Sequence, residues 1–166
     1  MEFNNTKEII LKSLPEDIHL VESFIDDISD EFNINNSYFG NILIAVTEAI
    51  NNAFEHGNQK DSTKSIFVKF EVRPKGFAFI ISDEGNGFEL DNIPDPTDVN
   101  YKAEDNYGRG IYLMKALSDD VKFFDNGSKI ELTFNISSIN SELALKRINE
   151  FKAYSGINIQ ANTHKF

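Results

Sequence analysis

The spacing of apolar residues changes along the chain, and this change restricts the fold more than any other feature. Residues 16–32 and 37–56 repeat apolar side chains at helical spacing. Ser65–Val72 then alternates apolar and polar residues, as a half-buried strand does, and the almost wholly apolar Phe77–Ser82 indicates a more deeply buried strand. A turn at Arg73–Gly76 joins these two strands. Helices followed by a hairpin favour an α+β sandwich over a regularly alternating doubly wound fold.

The remaining segments complete a two-layer α/β sandwich. The same patterns predict a first strand, a further helix, a hairpin around an Asn126-Gly127 turn and a last helix: Lys7–Leu14, Gly108–Leu117, Val121–Phe124 with Lys129–Ile136, and Ser141–Tyr154. We expect a mixed, mostly antiparallel sheet that helices cover on one face. Residues 1–136 are expected to form one domain, and residues 137–166 a C-terminal helical extension.

Composition and charge exclude several classes of function. The 166 residues include no cysteine, which excludes disulfides, a thiol nucleophile and cysteine-based metal sites. A net charge of −11 opposes contact with nucleic-acid phosphates and anionic membranes, so we expect neither as a direct partner. No apolar run is long enough to span a bilayer, and we expect a cytoplasmic protein. A polyphosphate ligand would need local devices: backbone N–H groups, a helix N-terminus, a metal ion or a few cations.

A first candidate site lies on the second predicted helix. Glu48 and Asn52 are four residues apart, so they share one face of this helix, away from its apolar stripe. A carboxylate placed in this way can accept a proton, and an amide oxygen can bind a hard cation such as Mg²⁺. The same pair is also typical of an ordinary solvated helix face.

A second candidate site follows the buried strand. Asp83 leaves this strand with glycines two and four positions later, at Gly85 and Gly87. Glycines allow a sharp turn and a close approach to a flat ligand, and the aspartate can accept a hydrogen bond from an exocyclic amine such as that of adenine. An ordinary Asp-Gly turn is the alternative.

A third candidate site is the start of the helix at Gly108. Free N–H groups at a helix start bind anions, the glycines Gly108 and Gly110 allow close approach, and Arg109 adds a positive charge. The glycines could equally serve only the turn.

Phe88–Tyr107, which precedes this helix, has no periodicity and carries six acidic residues, one lysine and two prolines. A segment of this kind between two glycine-rich sites favours a lid, with a solvated surface loop as the alternative.

The order of these motifs resembles the N, G1 and G2 boxes of the GHKL ATPase superfamily of gyrase, heat-shock chaperones, histidine kinases and mismatch-repair proteins. Two stretches look most like its anti-sigma-factor serine kinases: Glu48-Ala49 to His56-Gly57, and Gly108–Met114. The resemblance covers about residues 7–136. It implies the Bergerat-type ATP-binding fold.

The resemblance also implies a role for each site residue. Glu48 would be the general base that takes the proton of a serine hydroxyl, Asn52 would ligate Mg²⁺, and Asp83 would bind the adenine amine. The other implied residues contact the nucleotide: Gly85 and Gly87 beside the base, Gly108, Arg109 and Gly110 at the phosphates, and Thr133 in the adenine network.

The function implied by the resemblance is an ATP-dependent protein-serine kinase that regulates a partner-switching pathway. It would use ATP and Mg²⁺, phosphorylate a serine of an anti-anti-sigma-type antagonist, bind a sigma factor and form a homodimer. Two alternatives stay open. The chain could be an ATP-binding interaction module that sequesters a partner without phosphoryl transfer, or a slow ATPase switch.

Overall fold

The computed structural model describes residues 5–12, 15–87 and 107–135. Nearly all of the predicted lid, the predicted helix Ser141–Tyr154 and the expected domain boundary after residue 136 lie outside the described residues. Within the described ranges, no helix combines the length and the apolar character that a bilayer span requires.

Three helices and five strands make up the described chain. The helices are α1 (Ile18–Glu31), α2 (Asn36–Asn52) and α3 (Tyr107–Leu117). The strands are β1 (Thr6–Leu11), β2 (Ile66–Arg73), β3 (Gly76–Asp83), β4 (Asp120–Phe124) and β5 (Lys129–Asn135). Short turns of other helix types lie at Pro15–Asp17, Ala53–Gly57 and Asp125–Gly127. The predicted elements within the described residues are therefore confirmed, with shifted ends.

The five strands form one sheet in the order β1-β2-β3-β5-β4, and all four pairings are antiparallel. The two-layer sandwich and the mostly antiparallel sheet are confirmed, and the parallel pairing that a mixed sheet would contain is not found among the described strands. The reason is the connection through α3. This connection places β4 two positions away from β3 in the sheet, and β5 then occupies the position between them. The strands β3 and β4, which run parallel, are therefore not neighbours.

Phenylalanines fill the core between the sheet and the helices. Alternate residues of a strand point to one face, and the inner face carries Phe70, Phe77, Phe79 and Phe134, all buried. Their rings lie close together, with centroids 5.4 Å apart for Phe70 and Phe79 and 5.5 Å apart for Phe77 and Phe134. Buried aliphatic residues of α1 and α2 belong to the same cluster. Asp83 continues the inner face of β3 beyond this apolar region, at the end of the strand.

Truncation of this aromatic cluster should destabilise the protein far more than truncation on the other face of the sheet. We expect Phe79→Ala to lower the free energy of unfolding by about 3–5 kcal/mol, because it leaves a cavity among the surrounding rings. The matched control is Phe67→Ala on β2, whose side chain is 42% exposed and should cost about 1 kcal/mol or less. Urea unfolding measures both values. Equal losses would contradict this account of the core.

Candidate functional site

Helix α2 presents Glu48 and Asn52 to helix α3. Both residues lie beside the apolar stripe of α2, and Asn52 is buried at 8% exposure while Glu48 is half-buried. Helix α3 packs against α2 so closely that a Cβ at Gly110 would lie 2.9 Å from Glu48 Oε2 and 3.4 Å from Asn52 Oδ1. The structure therefore brings together three residues that the sequence assigned to two separate motifs.

The electrostatic environment of Glu48 suits a proton acceptor. Partial burial removes water from the carboxylate and raises the pKa of Glu48 above its ordinary value. The positive charge of Arg109 opposes this increase, while the negative charge of Glu55 adds to it. Arg109 is exposed at the start of α3, and its neighbour Gly108 is buried there. The start of α3 thus brings a cation and a close backbone approach near the Glu48 carboxylate.

Asp83 is held at the end of β3 by hydrogen bonds on both sides. Its backbone N–H donates to the carbonyl oxygen of Ser128 at 2.9 Å. Its Oδ1 accepts from the N–H of Gly85 at 2.8 Å. Burial raises the pKa of Asp83, against the lowering effects of the Gly85 hydrogen bond and the charge of Lys64. The result is a half-buried acceptor of defined orientation.

The end of α2 lies directly on Asp83. After Asn52 the helix widens into a π-helical turn, Ala53–Gly57, in which the N–H of Asn58 donates to the Ala53 carbonyl oxygen at 2.7 Å. A Cβ at Gly57 would lie 2.3 Å from Asp83 Cγ, so any larger residue there would displace the Asp83 carboxylate. In the sequence, Gly57 was named only as the end of the stretch Glu48-Ala49 to His56-Gly57. The position of Gly57 after a polar helix face was the available signal for a functional role. Its contact with Asp83 has no local signal, because Asp83 is distant along the chain.

Gly85 and Gly87 make their close approaches to protein backbone. A Cβ at Gly85 would lie 2.0 Å from the carbonyl oxygen of Gly57. Gly87 has a positive φ of 80°, and a Cβ there would lie 2.1 Å from the carbonyl oxygen of Asn126. The two glycines were expected to admit a flat base. In the structure they fold the turn after β3 onto the end of α2 and onto the β4–β5 connection.

The structure does not bring Thr133 to Asp83. Thr133 pairs with Ala78 in the β3–β5 register, five residues before Asp83 along β3, a separation of roughly 16 Å. Ala78 and Asp83 also point to opposite faces, because they are five positions apart and successive strand residues alternate between faces. The structure therefore does not place Thr133 beside Asp83, where the adenine network was expected. Beside Asp83 lies the carbonyl oxygen of Ser128, the residue immediately before β5.

The polar groups at this end of the sheet are oxygen atoms, which can bind a cation, and backbone N–H groups, which can donate hydrogen bonds. Within the described residues, no group of three or more His, Asp or Glu side chains could hold a metal ion. A cation here would depend on the amide oxygen of Asn52 and on oxygens of its ligand. Hard oxygen donors of this kind fit Mg²⁺, which commonly takes one or two protein groups together with substrate phosphates.

Comparison with known proteins yields one family and several relatives. Residues 11–134 match the family model described as "Histidine kinase-like ATPase domain". The chain is 27% identical over 128 residues to the "Serine-protein kinase RsbW" of Bacillus licheniformis, which covers 72% of this chain and 78% of the relative. It is 28% identical over 144 residues to the protein of the same name from Listeria monocytogenes, covering 83% and 92%. These matches confirm the resemblance drawn from the motifs.

Replacement of Asp83 by asparagine should stabilise the ligand-free protein at neutral pH. The folded-state pKa of Asp83 lies above its ordinary value of 3.8, so the folded protein binds more protons between these two values and stability falls as pH rises through them. The side-chain amide introduced by D83N keeps the acceptor for Gly85 without the buried charge. The gain in Tm over the wild type should therefore appear as pH rises above about 4 and level off above the raised pKa.

Asp61→Asn is a control for which the expected change in stability at neutral pH has the opposite sign. Hydrogen bonds from Thr63 lower the pKa of Asp61, so its charge contributes stability above the unfolded-state pKa that is lost as pH falls. This variant should be less stable than the wild type at neutral pH. Thermal unfolding of the three proteins across the pH range measures both effects. A D83N protein that is less stable than the wild type at neutral pH would contradict the electrostatic account.

Proposed function

Because the chain belongs to the histidine kinase-like ATPase domain family, we propose that it is an ATP-dependent protein-serine kinase. Its substrate is a serine of an antagonist protein in a partner-switching pathway, and it also binds a sigma factor. The observation that carries the proposal is the contact of Gly110 with Glu48 and Asn52. This contact unites a proton acceptor, a magnesium ligand and a phosphate-binding helix start in one place. The name of the relatives, serine-protein kinase, supports the same reaction.

The two ends of the site divide nucleotide binding between them. Asp83 accepts a hydrogen bond from the exocyclic amine of adenine, with its Oδ1 already oriented by the Gly85 N–H. At the other end, N–H groups of Gly108 and Gly110 at the start of α3 bind phosphate oxygens, since a helix N-terminus favours anions. Arg109 supplies positive charge to a chain whose net charge is −11. The Asn52 amide oxygen would hold Mg²⁺, which would supply positive charge beside the phosphates.

Glu48 acts on the attacking hydroxyl. The serine oxygen forms a bond to the γ-phosphorus, the bond from that phosphorus to the β–γ bridging oxygen breaks, and ADP leaves. The hydroxyl proton passes to the Glu48 carboxylate. A pKa raised by burial makes this carboxylate a better acceptor at neutral pH than a solvated one.

We include in the proposal that the kinase domain ends near residue 136 and that residues 137–166 form a separate extension.

Glu48→Gln should abolish phosphoryl transfer and spare nucleotide binding. The amide keeps the size of the side chain but accepts no proton, so the transfer rate should fall by about 10²-fold or more, the usual contribution of a general base. The dissociation constant for Mg-ATP should stay within about threefold, because the residue does not hold the nucleotide. Phosphoserine on a candidate antagonist encoded beside this chain is measured by mass spectrometry, and binding by calorimetry.

The matched control is Glu55→Gln. Glu55 is exposed, belongs to the π-helical turn and affects Glu48 only through its charge, so transfer by this variant should stay within about threefold of the wild type. Undiminished transfer by E48Q would remove Glu48 from the mechanism. A wild type that binds Mg-ATP but forms no phosphoserine with any neighbouring antagonist would favour the interaction module over the kinase.

A further inference from the structure

Asn58, the residue after the π-helical turn, is completely buried and bridges two strands. Its relative exposure is 0%. The side-chain Nδ2 donates to the carbonyl oxygen of Ser65 at 3.0 Å. The side-chain Oδ1 accepts from the backbone N–H of Glu84 at 2.9 Å. Both hydrogen bonds join backbone groups that are distant from Asn58 along the chain, and no role in the proposed reaction uses them.

The two partners of Asn58 face each other across the β2–β3 hairpin. The last pair in the register is Ile66 with Asp83, so Ser65 and Glu84 occupy the next facing positions. The carboxamide of Asn58 spans these positions as the peptide group of an inserted strand would. A second bridge runs beside it, because the Ser65 N–H donates to Glu84 Oε2 at 2.6 Å. The strands therefore part immediately after Asp83, and side chains satisfy their backbone groups.

This bridge fixes the neighbours of Asn58 and Glu84 relative to each other. Gly57 precedes Asn58, and Asp83 precedes Glu84. These two preceding residues approach each other closely, since a Cβ at Gly57 would lie 2.3 Å from Asp83 Cγ. Loss of the bridge would leave two part-buried backbone groups without these hydrogen bonds, and the turn after β3 would shift. The orientation of the Asp83 carboxylate depends on the position of that turn.

We propose that Asn58 is a positioning residue for base recognition, which holds Asp83 toward the exocyclic amine of adenine and so sets the preference for 6-amino over 6-oxo purine nucleotides. The inference rests on the nucleotide site of the proposed function, and it does not depend on phosphoryl transfer. Asn58 bonds to backbone groups of Ser65 and Glu84 through its side chain, and it acts on the base through Asp83.

The test compares ATP with inosine triphosphate, which carries an oxygen in place of the adenine amine. In the wild type, the dissociation constant for Mg-ITP should exceed that for Mg-ATP by about tenfold or more, the usual effect of one hydrogen bond to a charged acceptor. In Asn58→Ala, which loses both bridging bonds, this ratio should fall to within about threefold of unity. In Asn58→Asp, which keeps the acceptor for the Glu84 N–H, the ratio should be intermediate. Calorimetry on the full chain measures all of these constants.

The control separates positioning from general loss of stability. Phe134→Leu weakens the core at the far end of β3, where Phe134 pairs with Phe77. It should lower Tm yet keep the wild-type ratio. If Asn58→Ala keeps the wild-type ratio of the two dissociation constants, the inference is overturned. If that variant is unfolded at the assay temperature, a wild-type ratio in Asn58→Asp overturns it instead. A wild type that binds both nucleotides equally overturns the inference together with the role of Asp83, and one that binds neither overturns the proposed nucleotide site.

Discussion

The site depends on the close contact that two glycines allow, where the end of α2 lies on the end of β3 and the turn after it. Gly57 meets the Asp83 carboxylate there, and Gly85 meets the carbonyl of Gly57. A larger residue at Gly57 would push the helix away from the strand. Because the contact closes the space between the two elements, the α2 face that carries Glu48 and Asn52 and the acceptor at Asp83 belong to the same end of the molecule.

The core makes this contact possible by fixing α2 on the sheet. The apolar stripe of α2 packs on the phenylalanine-rich inner face, which leaves the adjoining polar face directed at α3. Two carboxylates then lie half-buried, and burial raises the pKa of both Glu48 and Asp83. Desolvated carboxylates reduce the stability of the ligand-free fold. Under the proposed function, that loss would be compensated by two roles: Glu48 would accept a proton and Asp83 would accept a hydrogen bond from the base.

The sequence predicted what is set by local spacing. Helical periodicity located Glu48 and Asn52 on one face, and the strand pattern located Asp83 at a strand end. It failed where the answer depends on partners far along the chain. Thr133 points away from Asp83 because the register of β5 fixes its face, and the partner of Gly87 lies on the β4–β5 connection. Neither the π-helical turn nor the bridge made by Asn58 has a local pattern that indicates it, since each is stabilised by contacts between elements.

The central claim is that three short segments form one nucleotide site. Amide NMR spectra of the wild-type chain, recorded as Mg-ATP is added, test it directly. The account predicts that resonances of residues 48–58, 83–87 and 108–110 shift together with a single dissociation constant. Amides on the outer face of the sheet, such as those of Lys69 and Thr133, should stay unchanged. Shifts confined to one segment, centred on the outer face, or following different dissociation constants would contradict it.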